Sequence, residues 1–457
     1  MISEEDVVEW LYRQAVARGT VGLDMGRLEK AIDAATREVQ RQALERLVRE
    51  AAAREELGCP NCGRILKVVD HRRFRAVSSS FGPVRFRRSY GLCPHCQKHH
   101  FPADAALGLH ERATLSPRLQ EICAVMTLQA PAGQAEDDVR RLTGIDIAGS
   151  TLHREACRQG GRALEIRRKQ EQMTETPVGV AALAAKAPRL PQHSTLVIEL
   201  DAWNIRERDN WGQTEARRLA GEDPERWHWV YTATIFRLDQ RGTKESGRPT
   251  IADRGYVATR QGLDSFRQQL HAEALQRGML QAETVLVLGD GAVWIWKLAT
   301  NTFRNATQRL DLYHAKQHLW ALAAELYGQG SAEAELWVRR YLCWLDRRKD
   351  GAFDVIRSLE DLQGTLTDFD ERQKASLARE VAYLTEHANR MNYKTARKLG
   401  QPVGSGAIES TCSQYQRRFK LTGQFWTLAG DEALLALATI HRNRRWHLLF
   451  PHDTDTP

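Results

Sequence analysis

The sequence predicts a multidomain α/β protein, and three observations carry the prediction. Short apolar runs alternate with stretches of helical spacing between Thr195 and Tyr327. Long helical periodicity lies on both sides of that block. Two Cys-x-x-Cys pairs bound a segment of alternating, strand-like residues near the start of the chain. At about 150 residues per domain, the 457 residues make room for roughly three domains. Hydrophobic residues at 42% and charged residues at 27% are globular usage, which excludes a collagen-like, disulfide-scaffold or largely disordered chain. A net charge of +8 points toward a polyanionic partner.

The opening Met1-Ile2-Ser3-Glu4-Glu5-Asp6 is acidic where a secretion signal is basic, and no apolar run approaches the length of a membrane span. A soluble, cytoplasmic protein without membrane contact is expected. In that compartment the eight cysteines serve as metal ligands or buried thiols rather than disulfides. Residues 1–57 form an N-terminal helical region. From Met25 to about Leu57, Leu28, Ile32, Ala35, Val39, Ala43 and Leu47 recur at helical spacing, either to pack on the protein or to pair in a coiled coil.

Residues 58–110 read as a zinc ribbon that binds DNA. Cys59, Cys62, Cys93 and Cys96 form two Cys-x-x-Cys knuckles, and two such turns complete a tetrahedral thiolate site for one structural zinc ion. Between them Ile65 to Val69 and Val84 to Arg87 alternate as strands around a Phe81-Gly82-Pro83 turn. Eight cations face one acid, Asp70, in this segment. Arg72, Arg73, Arg75, Arg85, Arg87 and Arg88 are therefore candidate phosphate contacts, against the plainer reading of a solvated basic face. Residues 111–175 form a helical domain resembling a helix-turn-helix. Val139 and Leu142 end one helix, Gly144 to Gly149 turn, and Ser150 caps a second helix carrying Arg154 and Arg158 toward DNA. Two core helices with a tight connection are the alternative. Pro177, Pro188 and Pro191 mark residues 176–193 as a linker.

Beyond it, strands are expected at Thr195 to Leu200, Trp227 to Ile235, Tyr256 to Thr259, Thr284 to Leu288 and Arg309 to Leu312. Helices are expected at Leu263 to Arg277, Val293 to Thr302 and His314 to Tyr327, and through residues 331–398. A final helical pair covers Gly406 to Lys420 and Gly430 to Arg444. Asp201 and Asp290 each terminate an apolar strand, so two carboxylates can meet at one sheet edge, and Glu409 offers a third near a helix start. Ser413, Gln416 and Lys420 share the face of Glu409. Each acid alone is ordinarily a cap or turn residue; the three in this order of elements suggest a metal site. Glu199 is assigned by the same reading to the other sheet face.

Three blocks carry a resemblance: Gly289-Asp290-Gly291-Ala292-Val293-Trp294-Ile295-Trp296, Leu310-Asp311-Leu312-Tyr313-His314-Ala315 and Gly404-Ser405-Gly406-Ala407-Ile408-Glu409-Ser410-Thr411. With the chain from Cys59 to Trp446, they resemble the DDE transposases of bacterial insertion sequences, in the Kra-type group. The resemblance implies an RNase H-like mixed-sheet core in residues 194–328 and 401–457, interrupted by a helical insertion in 329–400. It implies that Asp201, Asp290 and Glu409 are the catalytic acids, holding two magnesium or manganese ions. In Asp311-x-x-His314 it implies that His314 positions DNA, against the plainer reading of a hydrogen-bonded helix-cap pair. Arg417 and Lys420 are candidate phosphate contacts by their charge alone, since the tyrosine, arginine and lysine signature of another large transposase group is absent around Glu409. The partners implied are double-stranded DNA, as element ends and target, and a second or further copy of the chain on that DNA. The activity implied is cleavage at terminal inverted repeats and strand transfer. A DNA-binding regulator that no longer cuts, and a nuclease that does not join, are the alternatives.

Overall fold

A computed structural model describes residues 4–17, 24–53, 58–208, 213–222, 226–247, 249–365 and 369–451. The chain divides into two compact units, one running to Ala156 and including Phe450 onward, the other from Cys157 to Leu449.

The first unit opens with α1 (Glu4–Val16) and α2 (Met25–Ala53). The apolar stripe of α2 is amphipathic as expected, yet Leu28, Ile32, Val39 and Leu47 are exposed, and only Ala35 and Ala52 are buried. Next come β1 (Lys67–Ser79), β2 (Gly82–Leu92) and β3 (His99–His100), in one antiparallel sheet of that order. The register Phe74↔Arg87, Arg75↔Phe86, Ala76↔Arg85 and Val77↔Val84 sorts the hairpin into two faces. Val77, Val84 and Phe86 go inward with Ala52 of α2, with Ala103 of α3 (Pro102–Ala106), and with Leu109. A small helical core follows. Leu119 and Cys123 of α4 (Pro117–Gln129), Ala135 and Val139 of α5 (Ala132–Thr143), and Ile147 and Leu152 enclose it. Gly144 ends α5 at φ 65°, a left-handed position that glycine takes without strain. The next helix, α6 (Gly149–Met173), starts before Ser150, which therefore does not cap it. The first backbone N–H, at Gly149, is met instead by the Glu136 carboxylate at 2.6 Å.

In the second unit the expected linker is instead occupied by a helix, α7 (Pro177–Ala184), capped by Thr176. Leu183 is fully buried against Ala272 and Leu275, and that burial keeps the alanine-rich stretch in place. The sheet is built from β4 (Thr195–Glu207), β5 (Arg226–Arg237), β8 (Gly255–Thr259), β9 (Thr284–Gly289) and β10 (Thr307–Leu310), in the order β10-β9-β4-β5-β8. Between β4 and β8 lie α8 (Thr214–Leu219) and a two-stranded sheet of β6 (Arg241–Thr243) and β7 (Pro249–Ile251). β4 runs antiparallel to β5 and parallel to β9, so the sheet is mixed, with β4 at its centre.

Strand alternation sends Leu196, Ile198 and Leu200 to one face. There they meet Phe266 and Leu270 of α9 (Leu263–Gln276), Ile295 of α10 (Val293–Thr302) and Leu319 of α11 (Leu312–Tyr327). Each such side chain, fully buried, contributes about 1.5–3 kcal/mol over an exposed one. The strand expected at Arg309 to Leu312 ends at Leu310, because Asp311 turns away to cap α11 through the Tyr313 N–H. The stretch 331–398 holds α12 (Ala332–Arg347), α13 (Gly351–Thr365), α14 (Glu371–His387) and α15 (Tyr393–Lys398), packed on the same core. α16 (Gly406–Phe419) lies over the other sheet face, which carries Val197, Phe236 and Leu286, and α17 (Leu428–Arg442) packs on β8. No described helix is long and apolar enough to cross a membrane.

Candidate functional site

The register of the sheet brings the strand-end acids together. β4 and β9 pair from Thr195↔Thr284 to Glu199↔Leu288, and two further steps set Asp201 beside Asp290. β9 and β10 pair up to Gly289↔Leu310, and the Asp311 N–H donates to the Gly289 carbonyl at 2.8 Å, so Asp311 comes next. Three aspartates thus stand in a row across three neighbouring parallel strands.

Their environments differ. Asp201 is half-buried, and one carboxylate oxygen accepts from the Ala202 N–H at 2.7 Å. Burial, and then the charge of Asp290, push its carboxyl above the usual range, while the Cys412 thiol and the nearby His314 draw it down. Cys412, from α16, has its own thiol pushed well up by burial and by Asp201. Asp290, also half-buried, accepts from the Ala292 N–H at 3.0 Å in the turn into α10. At Gly291, φ is 102°, and a side chain would collide with the Tyr383 hydroxyl of α14, which donates to the Asp290 carbonyl at 3.4 Å. Asp311 is fully buried and bonded on both oxygens. One accepts from Tyr313 N–H at 2.6 Å; the other accepts from Ser405 N–H at 2.9 Å and from the Ser405 hydroxyl.

Through Ser405, Asp311 holds the start of α16. Arg309 helps by donating to the Pro402 carbonyl and the Gln401 side chain, and the Leu312 N–H donates to the Val403 carbonyl at 2.9 Å. Glu199 is the third anchor, accepting from the Ile408 N–H at 2.9 Å. Burial pushes its carboxyl up to about 8. The expectation that Glu199 faces away from Asp201 is corrected here. Residues two apart on a strand share a face, and both meet α16. The exposed Glu409 sits in the first turn of α16, 3.5 Å from the Ser405 hydroxyl, with Ser413, Gln416 and Lys420 along its polar stripe. Arg417 is exposed as well.

The four cysteines form a second, separate cluster. Cys59, Cys62, Cys93 and Cys96 bring all four sulfurs within 4.8 Å of one another and could hold a metal such as zinc. They are the one group of three or more possible ligands that converges among the described residues; Asp201, Asp290 and Glu409 do not gather to that degree. The two knuckles repeat one design. Cys59 N–H donates to the Arg64 carbonyl and Gly63 N–H to the Cys59 carbonyl; Cys93 and Gln97 repeat both bonds with Lys98 and Cys93. Gly63 and Gln97, at matching positions, both have left-handed φ, 73° and 53°. The Cys96 N–H, at 3.3 Å, pulls the Cys93 thiol down to about 6.

The basic hairpin divides where the sequence does not. Arg72, Arg73, Arg85 and Arg87 are exposed, and Arg85 and Arg87 line a groove with Arg49, His71 and the exposed Phe74. Arg75 and Arg88 are corrected: both turn inward onto the buried Asp104, and Arg75 also donates to the Ala113 carbonyl at 2.7 Å. A buried carboxylate needs a paired cation, and Asp104 lies just beyond the segment in which Asp70 is the lone acid. On α6, Arg154 is exposed and donates to the Thr151 hydroxyl at 3.1 Å, while Arg158, one turn on, is half-buried.

The sequence matches no family model and no curated protein. Among solved structures, it is similar to the Drosophila P element transposase strand transfer complex. The TM-score is 0.25 and the identity 11%, over 74% of this chain and 81% of that one. A likeness of that degree leaves function to be read from the site itself.

Proposed function

We propose that this protein is a DDE-type DNA transposase that binds the terminal inverted repeats of an insertion sequence, cleaves DNA there and transfers the strand to a target. The single observation that carries the reading is the lateral alignment of Asp201 with Asp290 on parallel strands, beneath the helix whose first turn bears Glu409. Neighbouring carboxylates raise one another's affinity for protons, as at Asp201, and favour a hard cation for the same reason. Oxygen donors of this kind suit magnesium or manganese. Two such ions, when bound, supply Lewis acidity and charge neutralisation for phosphodiester cleavage.

Asp201 and Asp290 would hold the ions, each with one oxygen already fixed by a backbone N–H that orients the other. Glu409 would close the site from α16, a rotamer change bringing its exposed carboxylate inward. His314, close enough to act on Asp201, would orient the DNA backbone, and Arg417 and Lys420 would meet phosphates along the outer face of α16. The first unit would grip DNA through Arg72, Arg73, Arg85, Arg87 and Arg154, its hairpin folded around one zinc ion, and Arg158, one turn further along α6, would add a contact from the start of the second unit. Two or more copies would act on paired element ends. A second reading, a DNA-binding protein that does not cut, is favoured by one fact: Glu409 stands apart from the two aspartates.

The test is cleavage and joining of a terminal-repeat duplex in magnesium. Asp201→Asn, Asp290→Asn and Glu409→Gln should each abolish both steps, at least a thousandfold, while duplex affinity stays within about threefold. Wild-type chain that binds the duplex without nicking it would establish the second reading, and a Glu409→Gln chain that cuts normally would remove Glu409 from the site.

A further inference from the structure

The β4–β5 ribbon continues past the sheet. β9 leaves β4 at Glu199 and β8 leaves β5 at Tyr231, yet β4 and β5 stay paired to Glu207↔Arg226. Six residues beyond Asp201 make roughly 20 Å of two-stranded ribbon at about 3.3 Å per residue. One face of it is dry: Trp203, Ile205 and Val230 are buried, with Trp203 against Phe419. The other face presents Trp227 and Trp229, each 54% exposed, across from Arg206 and Asn204. Two half-exposed indoles, one strand period apart on one face, are costly in water and unneeded by the core.

Cations stand over these rings. The Arg206 guanidinium lies 5.2 Å from the Trp227 ring centre and 4.7 Å from that of Phe425, and the Lys420 ammonium lies 5.6 Å from Trp227. Arg208 stacks on Phe425 at 3.8 Å. The segment bearing Phe425 is tied to the ribbon, since Trp426 N–H donates to the Arg206 carbonyl and Arg208 N–H to the Trp426 carbonyl. Aromatic faces open to solvent, interleaved with cations at 4–6 Å, suit a polyanion that also exposes π-faces. A duplex offers phosphates but hides its base faces; an unpaired strand offers both.

We infer that this face of the ribbon is a stacking platform for unpaired DNA bases, with Trp227 and Trp229 as the stacking groups and Arg206 and Lys420 as phosphate partners. The inference rests on the proposed reading of DNA as the substrate and adds to it a strand-separated region beside the cut. Trp229 pairs with Asn204, three residues past Asp201, so the platform begins about 10 Å along the same strand, on its opposite face. Bases unstacked near the reacting phosphate would be held there.

The experiment measures binding of the full-length chain to a 15-nucleotide oligothymidine and to a duplex of equal length, by anisotropy and by quenching of tryptophan fluorescence. Trp227→Ala and Trp229→Ala should each weaken oligothymidine binding about tenfold and leave duplex binding within twofold. Trp227→Phe, which keeps an aromatic face and guards against misfolding, should recover most of the affinity. Oligothymidine affinity unchanged in both alanine variants, or oligothymidine and duplex affinity lost equally, would overturn the platform. So would a change in oligomeric state without an effect on DNA. Tryptophan-dependent binding by a chain that never cuts would leave the platform standing and remove the catalytic reading alone.

Discussion

Asp311→Asn tests how the candidate site is held together. Asp311 is fully buried and receives three hydrogen bonds, one from the α11 cap and two from Ser405 at the start of α16. Asparagine caps a helix about as well as aspartate, so the bond from Tyr313 N–H should survive. The amide nitrogen would then face the Ser405 N–H, donor against donor, so that bond would be lost, while the Ser405 hydroxyl could turn to accept from the amide. A bond to a charged acceptor is worth roughly 1.5–3 kcal/mol, and the Ser405 N–H would be left buried without a partner, so a net cost of about 3 kcal/mol is expected. That energy falls on the first turn of α16, and 3 kcal/mol corresponds to about a 150-fold rise in local opening. Amide hydrogen exchange at Ser405, Ile408 and Glu409 should accelerate by that order while β9 amides do not, and DNA cleavage should fall without loss of duplex binding. Exchange at those amides within about threefold of wild type would refute the reasoning, because Asp311 would then not be what fixes α16.

Four further outcomes are expected. Purified chain should carry one zinc ion, and Cys62→Ser should lose it and deprotect the Gly63 and Gln97 amides; metal analysis finding none near stoichiometry would exclude the thiolate site. Glu199 titrates near 8 when folded against 4.5 as its ordinary value, so its contribution to stability is full below about pH 4.5 and is lost as pH rises through 8. Glu199→Gln should remove that loss, and its urea midpoint relative to wild type should climb between pH 5 and 8.5; parallel curves would contradict this. Arg75→Ala should cost roughly 3 kcal/mol of stability by leaving Asp104 under-paired. Arg87→Ala should instead leave stability within about 0.5 kcal/mol, weaken duplex binding several-fold and lower its salt dependence by about one phosphate, as read by titrations at several salt concentrations.

Much of this architecture is legible in the residues. Thr284 to Leu288 can be little but a buried strand, and the helix at Val293 to Thr302 falls where its spacing puts it. The four cysteines announce themselves by spacing. What sequence does not carry is register between distant strands. That Asp201 and Asp290 each end an apolar run is local information, but that they lie side by side depends on a parallel pairing 89 positions apart. The same limit hides Tyr383, which reaches Asp290 from α14, and Asp104, which withdraws two arginines from an apparently uniform basic surface. Cys412 reads as an ordinary buried thiol, although its place one helical turn past Glu409 could have set it facing Asp201. The 176–193 stretch misleads for another reason. Proline is favoured at the first position of a helix as well as in linkers, and only the pocket that receives Leu183 decides between them.

The central position of β4 has a consequence for the order in which the molecule comes into being. During synthesis the cysteine cluster and the helical core around Leu119 are complete once residue 156 has emerged, and the knuckles can close on metal from then on. The aspartate row needs β9 and β10, and so waits until residue 311; the helix that lies over it arrives only with residues 406–419. At 5–20 residues per second, roughly five to twenty seconds separate the row from its cover. A nascent or truncated chain would therefore hold the cysteine cluster and the basic hairpin well before it holds Glu409. Any cutting chemistry that needs all three proposed acids would wait for that helix.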